Sequence, residues 1–340
     1  MGTTIIITPI PAFYKVNLYN QIAKHKKIKV FFIGESTIEQ RSNDFISSKI
    51  KFDHLFLSNK EFQKRSKVLN ILTLIFNLFR LKSNEILICG WDLIEFWAVI
   101  FLFKKKKLSL VLESTFHEST SKGFKGLLKK LFLIKISKVY ASGHNHIKLL
   151  ENLNYKGEKV KTKGVGIINY FNKTKPLKEY QKKFIFVGRL TKVKNIELLI
   201  KVFNELSDFQ LSIIGEGPLE KRLRKISNKN IEFYGKIEND KLSYFFSKNN
   251  FLILSSTSEA WGLVVEEALY NGLPIIISKN CGSIEIIKDN ENGLVFEPIN
   301  PNNLQKILLD IDQNLYKKFL KNIRKDLIEK KDKYQINCYL

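Results

Sequence analysis

Glu259 and Glu267 stand with seven residues between them in the segment Glu-Ala-Trp-Gly-Leu-Val-Val-Glu-Glu-Ala. A carboxylate accepts hydrogen bonds from vicinal hydroxyls, so Glu267 suits a ribose and Glu259 a hexose. Between them, Gly262 and Leu263 fall where a loop turns into a helix, and their free N–H groups would face a phosphate. The neighbours Glu266 and Glu267 cannot share a helix face. Glu266 is therefore expected at the surface. A helix carrying two solvated acids fits the same letters.

A second set of residues is Gly188-Arg189-Leu190-Thr191-Lys192-Val193-Lys194-Asn195. Glycine at the end of an apolar run lets backbone come close to a ligand. Arg189 and Lys194 then offer two cations at a loop-to-helix junction, where free N–H groups and the helix dipole also attract anions. Together they suit a diphosphate; a plain turn with surface cations is the simpler reading. Gly215-Glu216-Gly217-Pro218 is another permissive turn. It lacks the full G-x-G-x-x-G spacing of a dinucleotide fingerprint.

These segments each follow a short apolar run. Strands are predicted at residues 5–8, 29–33, 85–89, 108–113 and 138–141, then at 183–187, 210–214, 231–234, 250–254, 274–278 and 293–296. Helix-length segments lie between them, including 195–206, 219–225, 239–247 and 264–270. Alternation of this kind implies an α/β protein with parallel sheets covered on both faces. Gly272 and Pro274 stop the last of these helices, and Pro218 fits a first helical position. Residues 164–182 have no clear period and read as a linker. The expected division is residues 1–170, residues 171–315, and a C-terminal helix over 316–340 that crosses back to the first domain. Two doubly wound domains facing across a cleft would hold ligands at the carboxyl ends of their strands.

With 340 residues, 44% of them apolar and 12% aromatic, the chain has core material for two domains and does not read as disordered. Cys89, Cys281 and Cys338 are odd in number and far apart, which suggests neither a disulfide framework nor a metal site. The first residues read as a strand, not as a signal peptide. The apolar stretches 68–79 and 93–103 are too short for a membrane span, which needs roughly 18–20 residues. Charge is uneven: residues 1–180 carry 32 basic and 13 acidic residues, residues 181–340 carry 25 and 20. The first half thus has either an anionic partner or a solvated lysine-rich surface.

Residues 183–300 resemble the family-4 group of GT-B glycosyltransferases. The likeness rests on Val-Gly-Arg-Leu with Lys194, Gly-Glu-Gly-Pro, Phe233-Tyr234-Gly235, the Glu259–Glu267 motif ending in Asn-Gly-Leu-Pro, and Gly293-Leu294-Val295-Phe296 in that order. It implies a nucleoside-diphosphate sugar in the second domain and transfer with retention of configuration, without metal or other cofactor. By the resemblance, Gly188, Arg189, Lys194 and Gly215 meet the diphosphate, Glu267 the ribose and Glu259 the sugar, while Lys236 and Ile237 lie near the base. Asn195 stands where many relatives have glycine, and Pro9-Ile10-Pro11 replaces their Gly-Gly loop. Relatives often carry a histidine after the first-domain strand that faces the donor sugar; here Glu113 or His117 takes that place.

The function expected is a cytoplasmic hexosyltransferase. It would move a sugar, UDP-sugar favoured, to a saccharide or lipid-linked saccharide in lipopolysaccharide, O-antigen or capsule assembly. The basic first half would bind the acceptor and dock on the anionic inner face of the membrane. A sugar-nucleotide epimerase of the same architecture is the alternative. A nucleic-acid-binding protein is a third, but no reader motif or aromatic-basic interleaving supports it, and no nucleic acid is expected.

Overall fold

The computed structural model describes residues 2–38, 43–46, 48–171, 173–323 and 326–340. Residue 172 of the expected linker and residues 324–325 of the expected terminal helix lie outside these. The chain divides into two compact units, one of residues 1–169 with 332–340, the other of residues 170–331.

Unit 1 runs β1 (Thr3–Thr8), α1 (Phe13–Ile22), β2 (Ile28–Phe32), β3 (Asp53–Phe56), α2 (Lys67–Arg80), β4 (Ser83–Cys89), α3 (Ile94–Leu102), β5 (Leu108–Leu112), α4 (Gly123–Ile134), β6 (Lys138–Ala141), α5 (His144–Asn152) and β7 (Glu158–Lys161). Its sheet has the order β3-β2-β1-β4-β5-β6-β7, and its strand pairs are parallel. Side chains alternate across a strand. Accordingly Ile5, Ile7, Phe31, Ile86 and Ile88 enter one core with α2 to α5, whereas Ile6, Val30, Phe32 and Leu87 enter the other with α1 and Tyr339.

Unit 2 continues with β8 (Lys183–Val187), α6 (Ile196–Glu205), β9 (Gln210–Ile214), α7 (Glu220–Ile226), β10 (Ile231–Gly235), α8 (Leu242–Phe246), β11 (Phe251–Leu254), α9 (Leu263–Tyr270), β12 (Ile275–Ser278) and β13 (Gly293–Phe296). Three helices follow: α10 (Pro301–Leu309), α11 (Gln313–Asn322) and α12 (Leu327–Cys338), the last ending among residues of unit 1. The sheet order is β10-β9-β8-β11-β12-β13, again with parallel pairs. Strand order reverses between β8 and β11, so the loops leaving these neighbours diverge and open a crevice at their carboxyl ends. Beneath it, Phe184 stacks on Phe251 at 5.7 Å and on Phe209 at 5.9 Å.

The apolar runs mark eleven of these strands, but β3 and β7 are edge strands that sequence patterning passes over. Their Asp53-His54 and Glu158-Lys159 pairs are exposed, as edge positions tolerate. The segment 239–247 divides into a 3-10 turn and the short α8, and Asn195 caps α6 from the left-handed region instead of opening it.

Asn250, fully buried, fixes the start of β8. Its Oδ1 accepts from the Gln181 and Lys183 amides, and its Nδ2 donates to the Glu179 carbonyl at 2.8 Å. Asn250→Ala strands these groups and should lower stability by about 2–3 kcal/mol, read by urea denaturation; an unchanged midpoint would show the clamp to be dispensable.

Candidate active site

The crevice of unit 2 is lined by loops that hold one another. After β8, the Gly188 amide donates to the Ile214 carbonyl at 3.0 Å, and the Leu190 amide to the Glu216 carbonyl at 2.9 Å. The contact is backbone to backbone: a Cβ on Gly215 would lie 1.9 Å from the Gly188 carbonyl oxygen. Only glycine fits there, at a φ of +133°. This accounts for the first glycine of Gly-Glu-Gly-Pro; a Cβ on the second, Gly217, would lie 2.5 Å from the Leu190 carbonyl oxygen.

Lys194 ends a single 3-10 turn, and Asn195 follows in the left-handed region at φ +54°. Asparagine tolerates that region better than other side chains do. The position thus serves as a glycine would, and Asn195 Nδ2 also donates to the Pro298 carbonyl at 2.7 Å. On the far side of the switch point, Ser255 Oγ donates to the Lys194 carbonyl at 2.7 Å, and the Thr257 amide to the Val193 carbonyl at 2.9 Å. These bonds carry Glu259 to Lys194, and the two side chains form an ion pair through Nζ and Glu259 Oε2. Ser256 Oγ donates to the same oxygen at 3.3 Å. The pair keeps some exposure, 16% and 18%, so a ligand can reach both groups. Behind it Cys281 is sealed, and burial with the Glu259 charge pushes its thiol pKa up, which leaves it protonated and unsuited as a nucleophile.

Gly262, at φ +93°, caps α9, and Leu263 opens it; both are partly exposed. Glu267 is half-buried, and its Oε1 accepts from Asn239 Nδ2 at 3.0 Å. It therefore faces the loop leaving β10, which also holds exposed Lys236 and half-buried Ile237. Arg189 is exposed on the loop after β8.

The surface position expected for Glu266 is wrong. Glu266 is fully buried, with Oε1 accepting from Trp261 Nε1 at 2.6 Å and Oε2 paired with Lys331 Nζ at 2.9 Å. A helix turns about 100° per residue. Pinning Glu266 inward therefore turns Glu267 toward the β10 loop. Nothing local in the sequence marks Lys331, sixty-five positions away, as its partner.

In unit 1, Glu113 lies just past β5, half-buried, and pairs with Lys15 Nζ from the first turn of α1. Lys15 is buried, and burial lowers its pKa. His117 is exposed, its ring 3.9 Å from that of Phe116. Lys15, Asn239 and Ser256 were missed as site residues; each is an ordinary polar letter until the fold brings its partner up. Among the described residues no group of three or more His, Cys, Asp or Glu is placed to hold a metal ion.

Solved glycosyltransferases have this fold. The lipopolysaccharide outer core galactosyltransferase WaaB superimposes with a TM-score of 0.70 at 16% identity, covering 100% of each chain. HepE of Anabaena, solved with UDP and glucose, gives 0.68 at 14% identity over 97% of this chain and 95% of that one. The architecture is GT-B. Residues 169–326 match the family described as glycosyl transferases group 1, and the enzyme class is that of a glycosyltransferase. An uncharacterized glycosyltransferase of Methanocaldococcus jannaschii is 28% identical over 256 residues, 72% of each chain. The O-antigen biosynthesis glycosyltransferase WbnH of Escherichia coli is 33% identical over 124 residues, 35% of each.

Removing one member of a buried ion pair leaves the other charge uncompensated. Lys331→Met should cost about 3–5 kcal/mol in urea denaturation, and adding Glu266→Gln should restore part of it. A single variant as stable as wild type would mean that the pair does not anchor α9.

Proposed function

We propose that this protein transfers a hexose-type sugar from a nucleoside-diphosphate donor, UDP-sugar favoured, with retention of anomeric configuration and without a metal ion. The acceptor is a saccharide or lipid-linked saccharide of surface polysaccharide assembly at the cytoplasmic face of a membrane, and unit 1 binds it. One observation carries the donor half of this reading: Lys194 and Glu259 meet, partly exposed, where strand order reverses in unit 2. The O-antigen role of WbnH and the UDP held by HepE support the pathway and the base.

The pair divides the work. An arriving diphosphate takes Lys194 from Glu259, because its two negative charges, one on each phosphate, offer the ammonium a stronger partner than one carboxylate. Glu259, released, accepts hydrogen bonds from sugar hydroxyls. Arg189 and the free amides at Gly262 and Leu263 add positive potential as the diphosphate departs. Glu267 accepts from the ribose hydroxyls in place of Asn239, and Lys236 and Ile237 border the base. The acceptor hydroxyl attacks from the face the diphosphate leaves, and its proton passes to a phosphate oxygen.

UDP-sugars should raise the thermal midpoint of the wild type more than GDP- or dTDP-sugars, since a ligand bound only to the native state stabilises it. Glu267→Ala should remove that shift. Lys194→Ala should lower kcat by about 10²–10³, the scale for losing one well-placed stabilising group. Full donor-dependent stabilisation in Glu267→Ala would remove the ribose assignment.

A further inference from the structure

Helices α2, α3 and α4 pack on the same face of the unit 1 sheet, and α2 and α4 are apolar on their outer sides as well. In α2 the inward stripe is Asn70, Leu74 and Leu78, at a spacing of four. The outward stripe is Leu69, Leu72, Phe76 and Phe79, all 60–65% exposed. In α4, Gly126, Phe132 and Leu133 turn inward, while Phe124, Leu127, Leu131 and Ile134 stand 47–73% exposed. Helix α3 joins the two. Its Trp97 meets Phe132 edge-on at 5.2 Å, and Phe103, just past its end, stacks on Phe79 at 5.5 Å. Phe101 on α3 is 68% exposed. A helix apolar all round is ordinarily buried, and a contiguous exposed apolar patch marks a docking surface.

Charge identifies the occupant. Segments 66–82, 101–107 and 120–136 contain twelve Lys and Arg and not one Asp or Glu. The acid of α3, Glu95, is buried against Arg65. A second copy would bring an equally basic surface against this one, which like-charge repulsion opposes. An anionic bilayer satisfies both features. Its acyl boundary takes the apolar side chains, and its headgroups take the lysines, whose stems lie along the apolar surface. We propose that the outer face of α2, α3 and α4 docks this protein in the interface of an anionic membrane. No helix among the described residues is long and apolar enough to cross a bilayer, so the contact is interfacial. The inference stands on this surface alone and does not depend on the donor assignment.

The test is sedimentation of the full chain with vesicles of phosphatidylcholine, alone or mixed with phosphatidylglycerol. The wild type should bind the anionic vesicles, weakly the neutral ones, and less as salt rises. Leu72→Ser/Phe76→Ser and Leu127→Ser/Leu131→Ser replace solvent-facing side chains, so the fold should hold. Each should weaken binding by about tenfold or more at low salt. Replacing Lys104 to Lys107 with glutamine should remove part of the salt-sensitive component. Donor-induced thermal stabilisation should persist in all of these variants, which separates a failure here from a failure of the donor site. Equal, negligible sedimentation of the wild type with both vesicles at low salt would overturn the proposal. So would unchanged binding by both serine variants. A wild-type dimer in the ultracentrifuge, dispersed by the same substitutions and blind to vesicles, would make the face a self-interface and overturn it as well.

Discussion

The ion pair of Lys194 with Glu259 is the interaction on which the organisation of unit 2 turns. It closes the switch point of the sheet, joining the loop that leaves β8 to the loop that leaves β11. The Ser255 hydroxyl and the Thr257 amide, donating to the Lys194 and Val193 carbonyls, tie the two loops together beside the charges. The glycines at 215 and 217 let the loop after β9 close in from the other side. Opposite charges held at partial exposure store an arrangement that an anionic ligand can exchange.

A second pair supports the first from behind. Glu266 is held by Trp261 and Lys331 inside unit 2, which fixes the rotation of α9. With that rotation set, Gly262 presents the amino end of the helix, and Glu267 meets Asn239. The buried acid and the site acid are neighbours in sequence with opposite duties. One anchors by being inaccessible, and the other remains reachable. Unit 1 also holds an ion pair at a strand end: Lys15 of α1 pairs with Glu113 just past β5.

Much of this was legible in the sequence, for physical reasons that also mark where reading stopped. Central strands such as β8 and β9 are buried on both faces, so their apolar runs end where the strands end. The edge strands β3 and β7 carry exposed charges and left no such signal. Glycines at strand ends were readable because a close backbone approach admits nothing else. Glu259 and Glu267 stood out through their spacing around a helix start. Glu266 was misplaced because its burial depends on Lys331, and long-range pairing is invisible to local pattern. Asn195 shows the reverse case, where a departure from glycine is explained once its left-handed backbone is seen. Helices α2 and α3 were visible only as apolar stretches too short to cross a membrane, and nothing marked the outer face of α4. Which of their sides faced the sheet was the fold's information.

Calorimetric titration of UDP and UMP into wild type and Lys194→Ala shows whether Lys194 meets the donor's diphosphate. The wild type should prefer UDP to UMP, and Lys194→Ala should lose most of that preference while still binding the nucleoside portion. A preference for UDP that survives intact in Lys194→Ala would contradict that contact.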